Sequence, residues 1–272
     1  MHIFYIVFGI LLAIFILYAL STMCRRGHKG LAALRGWAYA HRGLHGDGVP
    51  ENSLEAFEKA VKAGYGSELD VHLLADGGLA VIHDSSLFRT AGVNGCVEDL
   101  STEMLGSYFL EGTIQNIPTF EQVLSVYDGK APLIVELKPV RNNHAELCSR
   151  VCEVLQHYTG DYCIESFDPR CIYWLKRHRP HIIRGQLTEN FFLAKNSKLP
   201  GIVKYVMKVQ LLNFLTKPDF VAYKFKDRKN FSNFLCRKIW GAQGVTWTLR
   251  NQQEYDLAVK ENWIPIFEGF QP

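Results

Sequence analysis

The sequence has no dense run of lysine or arginine and no zinc-finger spacing of cysteine and histidine. Its 30 basic and 27 acidic side chains leave a formal charge of only +3 over 272 residues. Nucleic-acid-binding domains concentrate positive charge on one face, so this composition argues against a nucleic-acid partner. Hydrophobic residues at 48% and charged residues at 21% are instead ordinary for a globular enzyme.

Cysteine is sparse and odd in number. The seven cysteines show no repeated spacing of the kind that marks the disulfide framework of a small secreted domain. Cys148 and Cys152 lie four residues apart on a predicted helix, where we expect them to be small buried hydrophobic residues. The cysteine pattern therefore favours a domain in a reducing compartment, facing the cytosol.

Charge is absent from residues 3–20, which read IFYIVFGILLAIFILYAL. At a rise of about 1.5 Å per residue, a helix over this run nearly crosses a hydrocarbon core of roughly 30 Å. A signal peptide would have a basic segment before the run and a small-residue cleavage site after it, and neither is evident. A buried core helix would carry polar positions on one side, and none occurs here. We therefore predict a single-pass transmembrane anchor over residues 1–24.

A basic juxtamembrane linker is predicted over residues 25–36. Arg25, Arg26, Lys29 and Arg35 follow the apolar run, and no lysine or arginine precedes it. Because basic residues near the ends of a span are retained on the cytoplasmic side, we expect the rest of the chain to be cytoplasmic.

Short apolar segments alternate with helical ones after the predicted anchor. The expected strands are residues 37–41, 68–73, 132–138, 161–167, 181–187, 219–224, 243–249 and 264–268. The expected helices are residues 52–64, 119–127, 142–158, 168–178 and 251–262. A doubly wound sheet would carry a glycine-rich phosphate loop after the first strand, and HRGLHGDGVPEN does not match that pattern. The alternation therefore predicts an α/β fold, a (β/α)8 TIM barrel over residues 37–272.

One stretch departs from this alternation. Residues 68–84, ELDVHLLADGGLAVIHD, contain two strand-like segments joined by a loop too short for a helix, and Asp-Gly there is typical of a hairpin. We expect residues 79–83 to return antiparallel beside the second strand, which brings His83 level with Asp70. An irregular insertion is then expected over residues 84–118.

A second insertion, rich in apolar and basic residues, covers residues 190–217. Val203, Val206, Val209 and Leu212 recur there at helical spacing. This stripe is compatible with a helix that faces the core, and also with an interfacial helix that holds the barrel against lipid.

Ionisable side chains gather at the ends of the predicted strands. His41 ends the first strand, Glu68 and Asp70 share one face of the second, and Glu136 lies on the next barrel strand. His83 arrives from the hairpin. The C-terminal ends of barrel strands meet at one mouth, so these groups should converge. Three carboxylates there would repel one another, and a hard divalent cation, Mg²⁺ or Ca²⁺ rather than zinc, would offset the repulsion.

Structural alternatives remain open for some of these residues. Glu68, Asp70 and His72 alternate with apolar residues, as on the polar face of any half-exposed strand. A histidine at a strand end is also commonly a structural group. Glu136 follows the apolar run PLIV, and a carboxylate in such a strand needs a partner or a metal.

Acid–base and anion-binding groups complete the predicted site. His41 and His83 are suited to general acid–base catalysis near neutral pH. Arg42 and Lys138 place positive charge where an anionic substrate would lie, and an arginine fork matches phosphate oxygens. Cation, base, acid and anion-binding groups together predict hydrolysis of a phosphate ester.

Eight short motifs occur in a fixed order: HRG at 41–43, PENSLEAF at 50–57, ELDV at 68–71, DGGLAVIHD at 76–84, LFRTAG at 87–92, IPTF at 117–120, VELK at 135–138 and SFDP at 166–169. This series resembles the glycerophosphodiester phosphodiesterase family, whose barrels are similar to phosphatidylinositol-specific phospholipase C, in a membrane-anchored form of bacterial type. The resemblance covers essentially all of residues 37–272. It implies a (β/α)8 barrel, one divalent cation, and release of an alcohol from a glycerophosphodiester to leave glycerol 3-phosphate.

The resemblance also implies roles for particular residues. By motif position, the metal ligands are Glu68, Asp70 and Glu136, the acid–base pair is His41 and His83, and the phosphate contacts are Arg42 and Lys138. Glu51 and Asn52 support the site, Glu51 from a turn near the metal. Asn52 with Glu55 predicts a capping box for the following helix, and Gly64 predicts its end.

The C-terminal sequence IFEGFQP departs from the family's usual ending, so the resemblance is weakest at the last strand. Two other functions remain compatible with the sequence. One is a lysophospholipase D that acts on membrane lysolipids, and the other is a catalytically idle, membrane-anchored barrel that binds phospholipid headgroups.

Overall fold

Eight parallel strands close into a barrel in the computed structural model, which describes residues 1–194 and 198–272. The strands are β1 (Tyr39–His41), β2 (Gly66–Leu73), β3 (Leu79–Val81), β4 (Leu133–Leu137), β5 (Tyr162–Ser166), β6 (Arg184–Thr188), β7 (Phe220–Lys224), β8 (Gln243–Leu249) and β9 (Trp263–Phe267). All pair in parallel except β3, and β1 closes the barrel by pairing with both β2 and β9. The predicted TIM barrel is confirmed, and each predicted barrel strand overlaps an observed one.

Helices α1 (His2–Ser21) and α2 (Leu31–Leu34) precede the first strand. The helices between the strands are α3 (Leu54–Lys62), α4 (Phe88–Ala91), α5 (Phe120–Tyr127), α6 (His144–Leu155), α7 (Pro169–His178), α8 (Gly201–Lys208), α9 (Asn213–Thr216), α10 (Phe231–Phe234) and α11 (Gln252–Lys260). Local sequence starts several of them. Thr119 and Gln122 form a capping box before α5, and Asp168 caps α7 ahead of Pro169.

The predicted capping residue of α3 is wrong by one position. Ser53 is the N-cap, and its hydroxyl accepts a hydrogen bond from the backbone N–H of Ala56 at 3.1 Å. Asn52 instead adopts a left-handed conformation with φ of 53°, and its side chain turns to Asp70. Gly64 follows the end of α3 with φ of 78°, which a glycine adopts without steric cost.

The interior of the barrel changes from apolar to charged along each strand. Ile134 and Cys163 are paired neighbours near the N-terminal ends of β4 and β5, and both belong to the apolar interior. Two residues further on, Glu136 and Glu165 are paired neighbours on the same face. The apolar layer thus forms the floor of the barrel, and the carboxylates lie at its mouth.

Residues 25–36 close this floor and are not the simple basic linker that the sequence predicted. Leu31 and Leu34 of α2 are buried in the interior apolar cluster, and the hydroxyl of Tyr39 donates to the Leu34 carbonyl at 3.0 Å. Arg25 forms an ion pair with Asp219, whose side chain is fully buried. The composition of the segment did not reveal this packing because it depends on residues far along the chain.

The predicted hairpin is confirmed. β3 runs antiparallel to β2, and the backbone N–H of Ile82 donates to the Asp70 carbonyl at 3.1 Å. The insertion over residues 84–118 is irregular, with one short helix, α4, and two 3₁₀ turns around a small apolar cluster.

The second insertion, residues 190–217, includes α8 and α9, while residues 195–197 lie outside the described residues. The predicted helical stripe is interrupted, because α8 ends at Lys208. Helix α1 has a mean hydropathy of 2.8 over its most apolar window, and by length and composition it could cross a membrane.

Candidate active site

Three carboxylates converge at the mouth of the barrel. Glu68 and Asp70 lie two residues apart on β2, and Asp70 is paired in register with Glu136 of β4. One oxygen from each of the three lies within 4.8 Å of the others. All three side chains are buried, and so is His72 on the same strand, so the alternative of a solvent-exposed polar face is wrong. The predicted ligand set is therefore brought together.

The carboxylates differ in how they are charged. Burial, together with the charges of Asp70 and Glu136, raises the pKa of Glu68 well above its usual value. Burial also raises the pKa of Glu136. Asp70 is the exception, because Lys138, His83 and Arg42 outweigh its burial and hold its pKa well below the usual value. A divalent cation would favour the ionised form of all three groups.

Two cationic side chains flank the carboxylates. Lys138 Nζ lies 2.7 Å from an oxygen of Glu136 and 3.0 Å from one of Asp70. Arg42 Nε lies 3.4 Å from Asp70, and its Nη1 lies 3.0 Å from both oxygens of Glu51. Both cations are mostly buried beside the predicted metal ligands.

Glu268 orients the imidazole of His41. Nδ1 of the ring lies 2.5 Å from one Glu268 oxygen, and Arg250 lies 2.7 Å from the other. Nε2 of the ring lies 3.9 Å from Glu68. When the carboxylate accepts the Nδ1–H, Nε2 is left with a lone pair toward the site.

The same contact shifts the pKa of both partners. Burial lowers the pKa of His41, and the Arg42 charge adds to this, while Glu268 acts in the opposite direction. The pKa of Glu268 is lowered to about 2, because the contacts with His41 and Arg250 outweigh its burial. Sequence reasoning missed Glu268. Its signal was a carboxylate directly after the apolar strand residues WIPIF, the pattern that had marked Glu136.

His83 has a matching partner. Its Nδ1 lies 2.5 Å from Asp84, which also forms an ion pair with Arg89. Arg89 in turn lies 2.6 Å from Glu51, the carboxylate that contacts Arg42. This ion-pair chain links the two loops that carry the histidines, and sequence reasoning did not assign Asp84 or Arg89 to the site.

Glu51 and Asn52 support the site by holding the side chains of other residues in it. Glu51 lies between Arg42 and Arg89, and those two charges lower its pKa despite its burial. The side-chain amide of Asn52 donates to Asp70 Oδ2 at 2.9 Å. That hydrogen bond fixes one oxygen of Asp70.

A cavity of about 270 Å³ opens over these groups. Besides the predicted residues it is lined by Glu165, Phe167, Glu189, Lys224 and Trp247, among others. Glu165 is buried, and its Oε2 has no hydrogen-bond partner among the described residues. Burial and the neighbouring Glu136 raise the pKa of Glu165 well above its usual value.

Comparison with known proteins gives the context of this site. The sequence model described as "Glycerophosphoryl diester phosphodiesterase family" matches residues 41–267. A Bacillus altitudinis protein named Glycerophosphodiester phosphodiesterase is 34% identical over 161 residues, which are 55% of this chain and 65% of that protein. A rat protein named Lysophospholipase D GDPD1 is 32% identical over 136 residues, 45% of this chain and 42% of that protein.

A solved structure shares the fold. The phosphodiesterase of Oleispira antarctica, in complex with the product sn-glycerol-3-phosphate, superposes with a TM-score of 0.69 at 20% identity. The match covers 85% of this chain and 92% of that one. By sequence, in contrast, the chain spans just under two thirds of the Bacillus protein and less than half of the rat protein.

Proposed function

Because the chain belongs to the glycerophosphoryl diester phosphodiesterase family, we propose that it hydrolyses glycerophosphodiesters to glycerol 3-phosphate and an alcohol. One observation carries this proposal. The three carboxylates within 4.8 Å of one another share the mouth with two histidines, each bound through Nδ1 to its own carboxylate. This arrangement places a cation site and two oriented imidazoles, which can donate and accept protons, around one cavity.

The carboxylate cluster fits a divalent cation. Its oxygens are buried, and one oxygen from each of the three side chains lies within 4.8 Å of the others. An all-oxygen set suits Mg²⁺ or Ca²⁺. Glu68, Asp70 and Glu136 would hold the ion, which would neutralise charge on the phosphate and make phosphorus more electrophilic.

The cationic side chains bind the phosphate. Arg42 and Lys138 are held at the mouth by the carboxylates and can each direct a donor to a phosphoryl oxygen. Their charges stabilise the negative charge that grows on those oxygens as the bond to the leaving alcohol breaks.

The histidines move the protons. His41 takes the proton of the glycerol hydroxyl next to the phosphate, whose oxygen attacks phosphorus. His83 gives a proton to the departing alcohol, and a cyclic phosphate remains. Water then opens the ring with the two roles reversed, so the second step returns both imidazoles to their starting states. Glu268 and Asp84 keep the Nε2 atoms available for these transfers.

Turnover by the full chain in detergent micelles tests the proposal. Release of glycerol 3-phosphate from glycerophosphocholine should require a divalent cation and stop on addition of EDTA. Glu136→Gln should abolish it, while Glu153→Gln, the same change on the exposed face of α6, should not. Binding of the diester without turnover would favour the idle headgroup-binding barrel instead.

A second candidate activity is lysophospholipase D. An apolar groove of about 430 Å³ runs from Phe167 between α7 and α8 and is lined by Phe191, Ile202, Val203 and Met207, among others. Phe167 also lines the catalytic cavity, so an acyl chain could leave the site directly into the groove. The similarity to a lysophospholipase D supports this activity. Comparing lysophosphatidylcholine with glycerophosphocholine as substrates distinguishes the two.

We also propose that α1 anchors the protein in a membrane with the barrel on the cytoplasmic side. Thr22 is fully buried and Cys24 nearly so, which supports retention of the segment rather than its cleavage as a signal peptide. All seven cysteines are free, as expected in a reducing compartment. Labelling of Cys96, the cysteine with a partly exposed side chain, from outside intact cells would contradict the cytoplasmic location.

A further inference from the structure

Helix α1 rises along the outside of the barrel from the floor toward the mouth. Arg25, just after α1, binds Asp219 and the carbonyl of Ile182, which precede β7 and β6 at the floor. Trp240, which precedes β8 at the same floor, donates its Nε1–H to the carbonyl of Ala19 at 2.9 Å. Followed from residue 25 back toward residue 1, the chain therefore begins at the floor and runs toward the mouth.

The earlier part of α1 lies level with the mouth. Phe231 belongs to α10, which follows the C-terminal end of β7. The ring centroid of Phe231 lies 6.1 Å from that of Phe15 and 6.1 Å from that of Tyr18. Residues 2–14 then run past the rim, over about 20 Å at the rise of an α-helix, and are all exposed.

Large apolar side chains are exposed on the rim beside α1. On and before α8, Leu193 and Ile202 are each 70% exposed, and Phe192 is 54% exposed. On α10, Phe231 and Phe234 are each 51% exposed. A water-soluble surface rarely gathers so many apolar side chains in two neighbouring loops.

The same two loops are basic. Lysines alternate with the apolar residues along the sequence, at positions Lys198, Lys204, Lys208, Lys226 and Lys229, and Lys208 Nζ lies 5.7 Å from the centroid of the Phe192 ring. The acidic residues of these loops are Glu189 and Asp227, and Glu189 is already paired with Lys224 at 2.7 Å. Exposed apolar side chains in loops rich in lysine are complementary to an anionic lipid surface.

We infer that the catalytic mouth lies against the membrane that α1 enters, with α8 and α10 in the headgroup layer. The inference rests on the proposed anchoring role of α1, since a helix that leaves the barrel at the mouth reaches lipid on that side. The floor, with Arg25 and α2, then faces away from the membrane. Substrate reaches the site along the lipid surface, and the basic residues after α1 are not juxtamembrane.

Spin labels on the full chain test this orientation without relying on turnover. The protein is reconstituted into phosphatidylcholine–phosphatidylglycerol vesicles in a Cys96→Ser background. A nitroxide is attached at Ile202→Cys on the rim or at Val259→Cys, an exposed site on α11 near the floor. At position 202 collisions with oxygen should rise and collisions with a water-soluble nickel chelate should fall relative to position 259.

Three outcomes are distinguishable. The expected difference between positions 202 and 259 in protein that floats with the vesicles supports the inference. Equal aqueous exposure at the two positions in floating protein overturns the orientation and leaves the anchor in place. Protein that does not float overturns both. Glycerol 3-phosphate release measured in the same samples reports on the proposed hydrolysis independently of all three.

Discussion

Glu268 and His41 meet across the seam where the barrel closes, with 2.5 Å between a carboxylate oxygen and Nδ1. Glu268 directly follows β9 and His41 ends β1, and these two strands are paired. The contact fixes the orientation and tautomer of the ring, and Arg250 holds the other carboxylate oxygen. Glu268 is therefore a positioning residue for the proposed proton transfer by His41.

Replacing this carboxylate should impair catalysis and change its pH dependence. We expect Glu268→Gln to lower kcat/KM roughly a hundredfold, because the amide can stabilise the wrong tautomer of His41. Glu268 acts to raise the pKa of His41, so its loss should move the acid limb of the pH–rate profile to lower pH. Steady-state rates over a range of pH measure both effects.

Two further variants separate positioning from folding. Glu268→Asp keeps the charge and should recover part of the rate and the original acid limb. Glu121→Gln makes the same chemical change on the exposed first turn of α5 and should leave both unaltered. A fall in rate with an unmoved acid limb would mean that Glu268 only supports the fold.

Glu136 and Glu165 provide a matched pair of positions at which substitution tests the cation site. They are paired in register on β4 and β5, and both are buried. Only Glu136 belongs to the cluster within 4.8 Å. Calorimetric titration with Mg²⁺ or Ca²⁺ should show binding lost in Glu136→Gln and kept in Glu165→Gln.

The reason for this difference is that Glu165 lies outside the cluster of ligand oxygens. Burial and the neighbouring Glu136 also raise the pKa of Glu165 well above its usual value, which favours the uncharged form that a glutamine resembles. Loss of cation binding in both variants would extend the ligand set to Glu165. Retention in both would remove Glu136 from it.

Much of the fold was predictable because its signals are local. Each barrel strand is a short apolar run, and Asp-Gly marked the hairpin before β3. The carboxylates of β2 and β4 could be placed at one mouth from strand periodicity alone. The cap of α3 was misassigned because Asn52 and Ser53 are adjacent and either could cap a helix. Asn52 donates to Asp70, and Ser53 caps α3.

The missed features all depend on contacts between distant segments. Glu268 meets His41 across 227 positions of sequence, and Arg89 meets Glu51 across 38. The burial of Leu31 and Leu34 depends on the shape of the barrel floor, which a four-residue helix does not encode.

Deletion of the floor segment should destabilise the barrel. A fragment that starts at Trp37 lacks Leu31 and Leu34, and burial of such a side chain contributes about 2 kcal/mol. It also lacks Arg25, and leaving the buried carboxylate of Asp219 without this partner costs about 3 kcal/mol more. These losses approach the total stability of an ordinary domain. Urea unfolding should show little folded protein.

A fragment that starts at Thr22 is the control, because it lacks α1 but keeps the floor. It should unfold cooperatively at a higher urea concentration. Arg25→Ala in this fragment should lower the unfolding midpoint, whereas Arg35→Ala, which removes an exposed contact with Gln243, should not. Equal midpoints for the two fragments would show that residues 25–36 are a linker after all.

The apolar groove beside Phe167 predicts that a substitution in its wall lowers kcat/KM more for an acylated substrate than for a soluble one. Val203→Asp places a carboxylate on the groove wall, and an acyl chain that binds there would have to displace the water that hydrates this carboxylate. We expect kcat/KM for lysophosphatidylcholine to fall about tenfold, a loss of about 1.4 kcal/mol, with a much smaller change for glycerophosphocholine. Val259→Asp, an exposed change near the floor, should affect neither. A parallel fall for both substrates would instead indicate distortion of the segment after β6 that carries Val203. Unchanged rates would exclude the groove from the path of the acyl chain.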